Sequence, residues 1–149
     1  MKKIFLFTLV CVIALGAKAQ STYNKALADS LGADEYGMKM YTFVILKTGE
    51  NKTTDKAIID SAFKGHMANI GKLAANGKLV VAGPMGKNDK GYRGIFIFNV
   101  KTVAEAQELL KSDPAVQSKI LEAEIYPWYG SAALPVYLET HKKIEKTSH

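Results

Sequence analysis

The sequence predicts an α+β domain with four strands and two helices in the order β-α-β-β-α-β. Three observations carry that prediction. Residues 41–47 and 92–100 alternate with a period of two, the side-chain period of a strand. Between them Ile59, Phe63, Ile70 and Leu73 recur at the spacing of a helical stripe, which stops at Asn76-Gly77. After the third strand, Thr102-Val103-Ala104-Glu105 is a capping box, in which hydroxyl and carboxylate each satisfy a backbone N–H and so open a second helix.

Residues 1–19 read as an export address and not as part of the fold. Lys2 and Lys3 form a basic start, and Ala17-Lys18-Ala19 has the small-x-small form of a cleavage site. The apolar run over residues 4–15 is shorter than the ~20 residues that span a bilayer. Cys11 lies inside that run behind Val10, which is not a small residue, so a lipid-anchored form is not expected. The expectation is a signal peptide, a periplasmic or secreted mature protein, and no stable membrane anchor after cleavage. An uncleaved N-terminal anchor is the alternative.

Residues 20–39 carry a weak pattern, with Ala26, Leu27 and Leu31 at helical spacing and Gly32 and Gly37 interrupting. They are expected to be a spacer with one helical turn. The domain proper is expected over residues 40–130. Its first strand, residues 41–47, is apolar on both faces, with Tyr41, Phe43 and Ile45 on one and Val44 and Leu46 on the other. Thr53 or Thr54 then suits the N-cap of the first helix, with Asp55 in the positive first turn. Past Asn76-Gly77 a second strand covers residues 79–85, and the turn-rich GKNDKG at residues 86–91 leads into the third. Asp113-Pro114 begins another helical turn, with Asp as N-cap and Pro at the first helical position. Residues 121–128 close the domain as the fourth strand.

This order is the split βαβ, ferredoxin-like plan, an antiparallel four-stranded sheet with both helices on one face. The other face is left bare. Because the central strands are apolar on both sides, a second copy is expected to cover it sheet against sheet, as a homodimer. Residues 131–149 are expected to be a basic C-terminal extension with a solvated, frayed end.

Charge and composition exclude several functions. The formal net charge is +6. The leader carries Lys2, Lys3 and Lys18 without an acid, and residues 141–149 carry Lys142, Lys143 and Lys146 against Glu145, so the body between is nearly neutral. With Arg93 as its single arginine, that body is a poor match for a phosphate backbone, and no nucleic-acid partner is expected. Cys11 is the only cysteine, which leaves the mature chain without a thiol nucleophile, a disulfide or a thiolate metal site. Only His66 lies in the body, since His141 and His149 belong to the extension, so no multi-histidine metal site is expected. No haem or flavin ligand motif is recognisable, and no cofactor is expected.

Four blocks carry a resemblance: His66-x-x-Asn69 on the first helix, the Gly77-Lys78-Leu79 exit, Ala82-Gly83-Pro84 in the second strand, and Asp113-Pro114. In that order, over residues 41–128, they resemble the YCII-related family of dimeric α+β barrel proteins. The stretches LGADEYGM at 31–38 and PWYGSAAL at 127–134 further resemble an exported branch of it. The resemblance implies the dimeric α+β barrel fold, relatives of lyase or isomerase type, and a histidine and an aspartate as the active-site pair, carried here onto His66 and Asp113. Two positions depart from the family pattern. Asn69 stands where many members carry an aromatic residue, and Phe63 stands where an arginine is frequent, so anion binding is not carried onto Phe63.

Physical chemistry gives the pair a role. As an N-cap, Asp113 sits where backbone N–H groups and the helix dipole favour its ionised form. If His66 reaches it, the carboxylate fixes the ring tautomer through one nitrogen and leaves the other free to take a proton. Such a general base without a nucleophile suits proton abstraction next to a carbonyl, hence isomerisation or elimination on a small organic acid. The same residues also fit a buried ring satisfied by a capping carboxylate, with no chemistry attached.

The substrate-binding candidates are Arg93, Asn69 and Trp128. Arg93 opens a strand beside the Gly-rich hairpin, where it suits a bidentate grip on a carboxylate or, equally, a surface cation. Trp128 suits a pocket wall or the sealing of a core edge. Glu122 and Glu124 lie on one strand face and do not oppose each other across a cleft, which excludes the paired acids of glycoside hydrolysis. Two function classes follow: a cofactor-free exported lyase or isomerase, or a non-catalytic dimeric protein that binds a small ligand or serves the envelope.

Overall fold

The structure, a computed structural model, describes residues 22–147, so the expected signal peptide and His149 lie outside the described residues. Strand β1, Met38–Thr48, pairs antiparallel along its whole length with β4, Leu121–Ser131, from Met38 opposite Ser131 to Thr48 opposite Leu121. On its other side lies β3, Tyr92–Phe98, and β2, Leu79–Pro84, completes the sheet beyond β3. The order β2-β3-β1-β4, antiparallel throughout, is the one that the ferredoxin-like plan requires. Both β1 and β4 outrun the alternation that predicts them. Strand β4 even passes Pro127, which an edge strand tolerates because its outer side has no ladder partner to supply.

Five helices accompany the sheet among the described residues. Helix α1, Lys25–Leu31, is longer than the single turn expected of the spacer; Asn24 caps its start, and Gly32, at φ 68°, ends it. Helix α2, Lys56–Ala75, is capped by Asp55, whose side chain accepts from the N–H groups of Ala57 and Ile58. The cap is therefore Asp55 and not Thr53 or Thr54, because the Thr53 hydroxyl is engaged one step earlier, accepting from the Asp55 N–H. Gly77, at φ 66°, turns the chain from α2 toward β2, a left-handed conformation that glycine adopts without strain. Helix α3, Val103–Leu110, has the capping box complete, and α4, Pro114–Gln117, is a single turn capped by Asp113.

The period of two divides the sheet's side chains. Val44 and Leu46 of β1 and Phe96 and Phe98 of β3 face the helices, where they pack with Ala62 and Leu73 of α2 and Ala106 and Leu110 of α3. Tyr41 and Ile97 face the other way and cluster with Val80. Leu134 packs against that second cluster, so the start of the C-terminal extension is docked on the sheet, while the basic residues 141–147 are exposed. Leu134–Val136 form a 3-10 turn, Tyr137–Ile144 form α5, and the Tyr137 hydroxyl donates to the Val80 carbonyl. Leu134 and Tyr137 precede the lysine cluster, and covering apolar sheet with them outweighs their freedom in solvent. The extension thus closes one end of the face expected to be bare. Phe43 and Ile45 remain half-buried and Tyr126 exposed on the rest of it. Among the described residues, no helix is long and apolar enough to cross a membrane.

Candidate active site

Ala62, His66, Asn69 and Leu73 form the buried face of α2, at spacings of four, three and four residues. His66 therefore points inward, toward the sheet. Its ring stacks on Phe96 at a centroid distance of 5.7 Å and meets Phe63 edge-on at 6.0 Å. Asp113 is fully buried at the start of α4. One carboxylate oxygen, Oδ1, accepts from the Ala115 N–H at 3.0 Å and more distantly from that of Val116. The other, Oδ2, lies 2.7 Å from His66 Nδ1.

Those contacts give each carboxylate oxygen a partner. A buried carboxylate is costly unless hydrogen-bonded, and here the cap donors hold one oxygen while the imidazole supplies the donor for the other. A neutral imidazole that donates from Nδ1 to the carboxylate has its lone pair on Nε2. Nε2 makes no hydrogen bond to any described residue, and no fully buried side-chain nitrogen or oxygen among them lacks a partner. The free nitrogen therefore reaches the surface of the site, although the side chain as a whole is only 9% exposed.

Of the remaining candidates, Asn69 and Arg93 lie near the pair and Trp128 does not. Asn69 is buried, and its side-chain oxygen accepts from the Ser112 hydroxyl at 3.0 Å, so it braces the residue before Asp113. Arg93 is exposed, and its guanidinium lies over the Phe63 ring at 5.9 Å. The pairing of β1 with β3 explains this position: Leu46 faces Gly94 and Lys47 faces Tyr92, so Arg93 is the extra residue of a β-bulge, a device that re-aims a side chain. Trp128 lies on the opposite face of the sheet, its ring 5.7 Å from that of Tyr41. It lies so flat along the strand that a Cβ on Gly130 would collide with its ring atoms. Within one chain it walls no cavity shared with His66.

Sequence reasoning missed Phe96, Ser112 and the packing of Gly65 on Pro114, where a Cβ at Gly65 would stand 2.6 Å from Pro114 Cγ. A groove of about 760 Å³ runs between α3, α4 and β4, floored by Leu110, Val116, Leu121, Ala123 and Ile125. Neither His66 nor Asp113 lines it; its titratable residues are Glu50, Lys111, Lys119 and Glu122, of which Lys119 is paired with Glu50. Among the described residues, no three His, Cys, Asp or Glu side chains gather as a metal site would need.

The sequence profile of the YCII-related domain matches residues 40–129, more than half of the chain. The chain belongs to the YCII-related domain family. No curated protein matches it. Among solved structures, it is similar to 5-chloro-2-hydroxyhydroquinone dehydrochlorinase (TftG) from Burkholderia phenoliruptrix AC1100, in complex with 2,5-dihydroxybenzoquinone. The identity is 22%, over 58% of this chain and 92% of that one, with a TM-score of 0.42. In this YCII-related protein the matched region runs from within β1 to within β4 and includes both members of the dyad.

Proposed function

We propose that this YCII-related protein is a cofactor-free enzyme of lyase or isomerase type, exported as its leader suggests, in which His66 is a general base on a small organic acid. The observation that carries the proposal is the 2.7 Å contact of His66 Nδ1 with Asp113 Oδ2, together with the unengaged Nε2. In the proposed step Nε2 takes a proton from the carbon next to the substrate's carbonyl, and the C–H electron pair passes into an enolate. The enolate then either takes the proton back from Nε2 at its oxygen or, where a C=C bond extends the conjugation, at the far carbon, which is isomerisation, or it expels a leaving group from the neighbouring carbon, which is elimination, the Nε2 proton passing to the departing group or to water. Asp113 stabilises the imidazolium that forms in between. Arg93, which has no carboxylate partner among the described residues, is suited to hold the substrate's acid group beside Phe63.

The experiment is proton exchange in D2O, followed by NMR, on a panel of small 2-oxo and β-substituted acids with wild type and His66→Gln. Exchange or turnover lost in His66→Gln, with unfolding unchanged, supports the proposal; equal rates in both proteins would sink it. The near-complete burial of the His66 ring favours a second reading, a binding module whose dyad is structural. Ligand retention without exchange in either protein would select it. The homodimer belongs to both readings: the uncovered patch around Phe43, Ile45 and Tyr126 is proposed to meet its copy, and sedimentation of a monomer at micromolar concentration would refute that.

A further inference from the structure

Helix α2 has two interior glycines, Gly65 and Gly71. At any such position alanine is the better helix former, so a glycine there calls for a reason. Nothing lies within 4 Å of the place a Cβ on Gly71 would occupy. A Cβ on Gly65 would stand 2.6 Å from Cγ of Pro114 and 3.1 Å from its Cβ. The proline ring is closed onto its own backbone and cannot swing aside like the end of a long side chain. To make room, Pro114 must carry its backbone with it, or α2 must withdraw.

Both partners of that contact are chain neighbours of the dyad. Gly65 precedes His66, and Pro114 follows Asp113 and opens the turn that Asp113 caps. Relieving a contact of 2.6 Å to an ordinary separation of 3.4 Å needs a shift of roughly 0.8 Å. The Nδ1 to Oδ2 distance is 2.7 Å, and N–H···O hydrogen bonds extend only to about 3.2 Å, so a shift of that size directed along the bond breaks it.

We propose that Gly65 is a positioning residue for the dyad: its missing side chain lets the Pro114 ring seat against α2, and that seat sets how closely the Asp113 carboxylate approaches the His66 imidazole. The catalytic meaning of this rests on the general-base reading above, whereas the positioning itself is readable without turnover. Gly71 lies on the same helix, carries no such contact and serves as the control.

The test is NMR of the full chain labelled with ¹⁵N-histidine, in which His66→Gln identifies the His66 signals and circular dichroism reports folding. Wild type and Gly71→Ala are expected to show the Nδ1–H tautomer with a slowly exchanging Nδ1 proton. Gly65→Ala is expected to lose that proton signal, and adding Pro114→Ala, which removes the obstructing Cγ, is expected to restore it. A folded Gly65→Ala that keeps the signal overturns the proposal, and so does a double variant that fails to regain it. If Gly65→Ala does not fold, the double variant decides alone: folding with the signal restored supports the proposal, and any other result overturns it. A normal tautomer in Gly65→Ala leaves the general-base reading standing. Unchanged proton exchange in His66→Gln defeats that reading and leaves the positioning result intact.

Discussion

The Ser112 hydroxyl donates to the side-chain oxygen of Asn69 across 3.0 Å, tying the residue before Asp113 to the helix face three residues beyond His66. The same hydroxyl also lies 2.7 Å from the Leu109 carbonyl, at the end of α3. One serine thus joins α2, α3 and the start of α4 next to the dyad. Asn69→Ala is expected to lower stability to urea by about 0.5–1.5 kcal/mol, the net worth of an ordinary hydrogen bond, because the exposed Ser112 hydroxyl left behind can still donate to the Leu109 carbonyl. Ser112→Ala, which leaves the buried Asn69 oxygen unmet, should cost more, about 1–3 kcal/mol, and the double variant less than the sum of the two, because both singles break one bond. Strict additivity in the urea midpoints would show that the bond contributes nothing.

Asp113 has two duties that substitution can separate. Asparagine is as good an N-cap as aspartate, so Asp113→Asn should keep most of the stability, whereas Asp113→Ala should lose at least the ~0.5–2 kcal/mol of a missing cap. The amide that replaces the carboxylate in Asp113→Asn, however, has no ionised oxygen with which to stabilise an imidazolium. If His66 is a general base, this variant should lower proton-exchange rates by about 10²–10⁴-fold, the usual weight of such catalysis. Thermal melts and exchange assays on the two variants read the duties apart, and an Asp113→Asn variant with wild-type rates would reduce the carboxylate to a cap.

The pair was legible because its signals are local. Asp-Pro at a helix start is a capping signature, and a single histidine in the body leaves one candidate base. Their 2.7 Å separation spans 47 residues of chain and depends on how α4 seats on α2, which no local pattern encodes. That Trp128 lies on the sheet face away from His66 is legible in the strand itself. Leu121, Ala123 and Ile125 alternate as the core-facing side of β4, so Tyr126 and Trp128 have the parity of the other face. For the extension, the lysines at 142, 143 and 146 hid the two residues that dock it, Leu134 and Tyr137. Arg93 could be placed only by a bulge, and a bulge comes from a register shift between strands that neither strand announces alone.

Stability in acid should depend on Glu124. Lys47 Nζ donates to its Oε1 at 2.7 Å and the Tyr126 hydroxyl to its Oε2 at 3.1 Å. The lysine hydrogen bond holds the Glu124 carboxyl below its ordinary 4.5, against desolvation that would raise it. With a folded-state value depressed below the unfolded one, the unfolded chain binds the proton more readily. The stabilisation is therefore present above about pH 4.5 and is lost as pH falls through the depressed value. Melting temperature against pH should decline less steeply below pH 4.5 in Glu124→Gln than in wild type. Because the pair is partly exposed, ~1 M salt should narrow the difference. Identical acid slopes would show that the pair contributes nothing to acid stability.

Arg93 offers the sharpest separation of binding from folding. It is exposed, its guanidinium touches only the face of Phe63 among rings, and as the bulge residue it has no partner on β1. Losing the cation–π contact costs about 0.5–1 kcal/mol at such a site, so Arg93→Gln should melt within a few degrees of wild type. If it holds the substrate's acid group, the lost charge-assisted bonds, worth about 1.5–3 kcal/mol, should raise KM for carboxylate substrates about 10- to 100-fold. The rate at saturation should change far less, because Arg93 does not move the proton. Arg93→Lys keeps the charge but not the planar fork, and should recover only part of the affinity. A neutral amide analogue of the same acid should bind wild type and Arg93→Gln equally. If KM for the acid is unchanged in Arg93→Gln, the guanidinium is a surface cation and the acid group is held elsewhere.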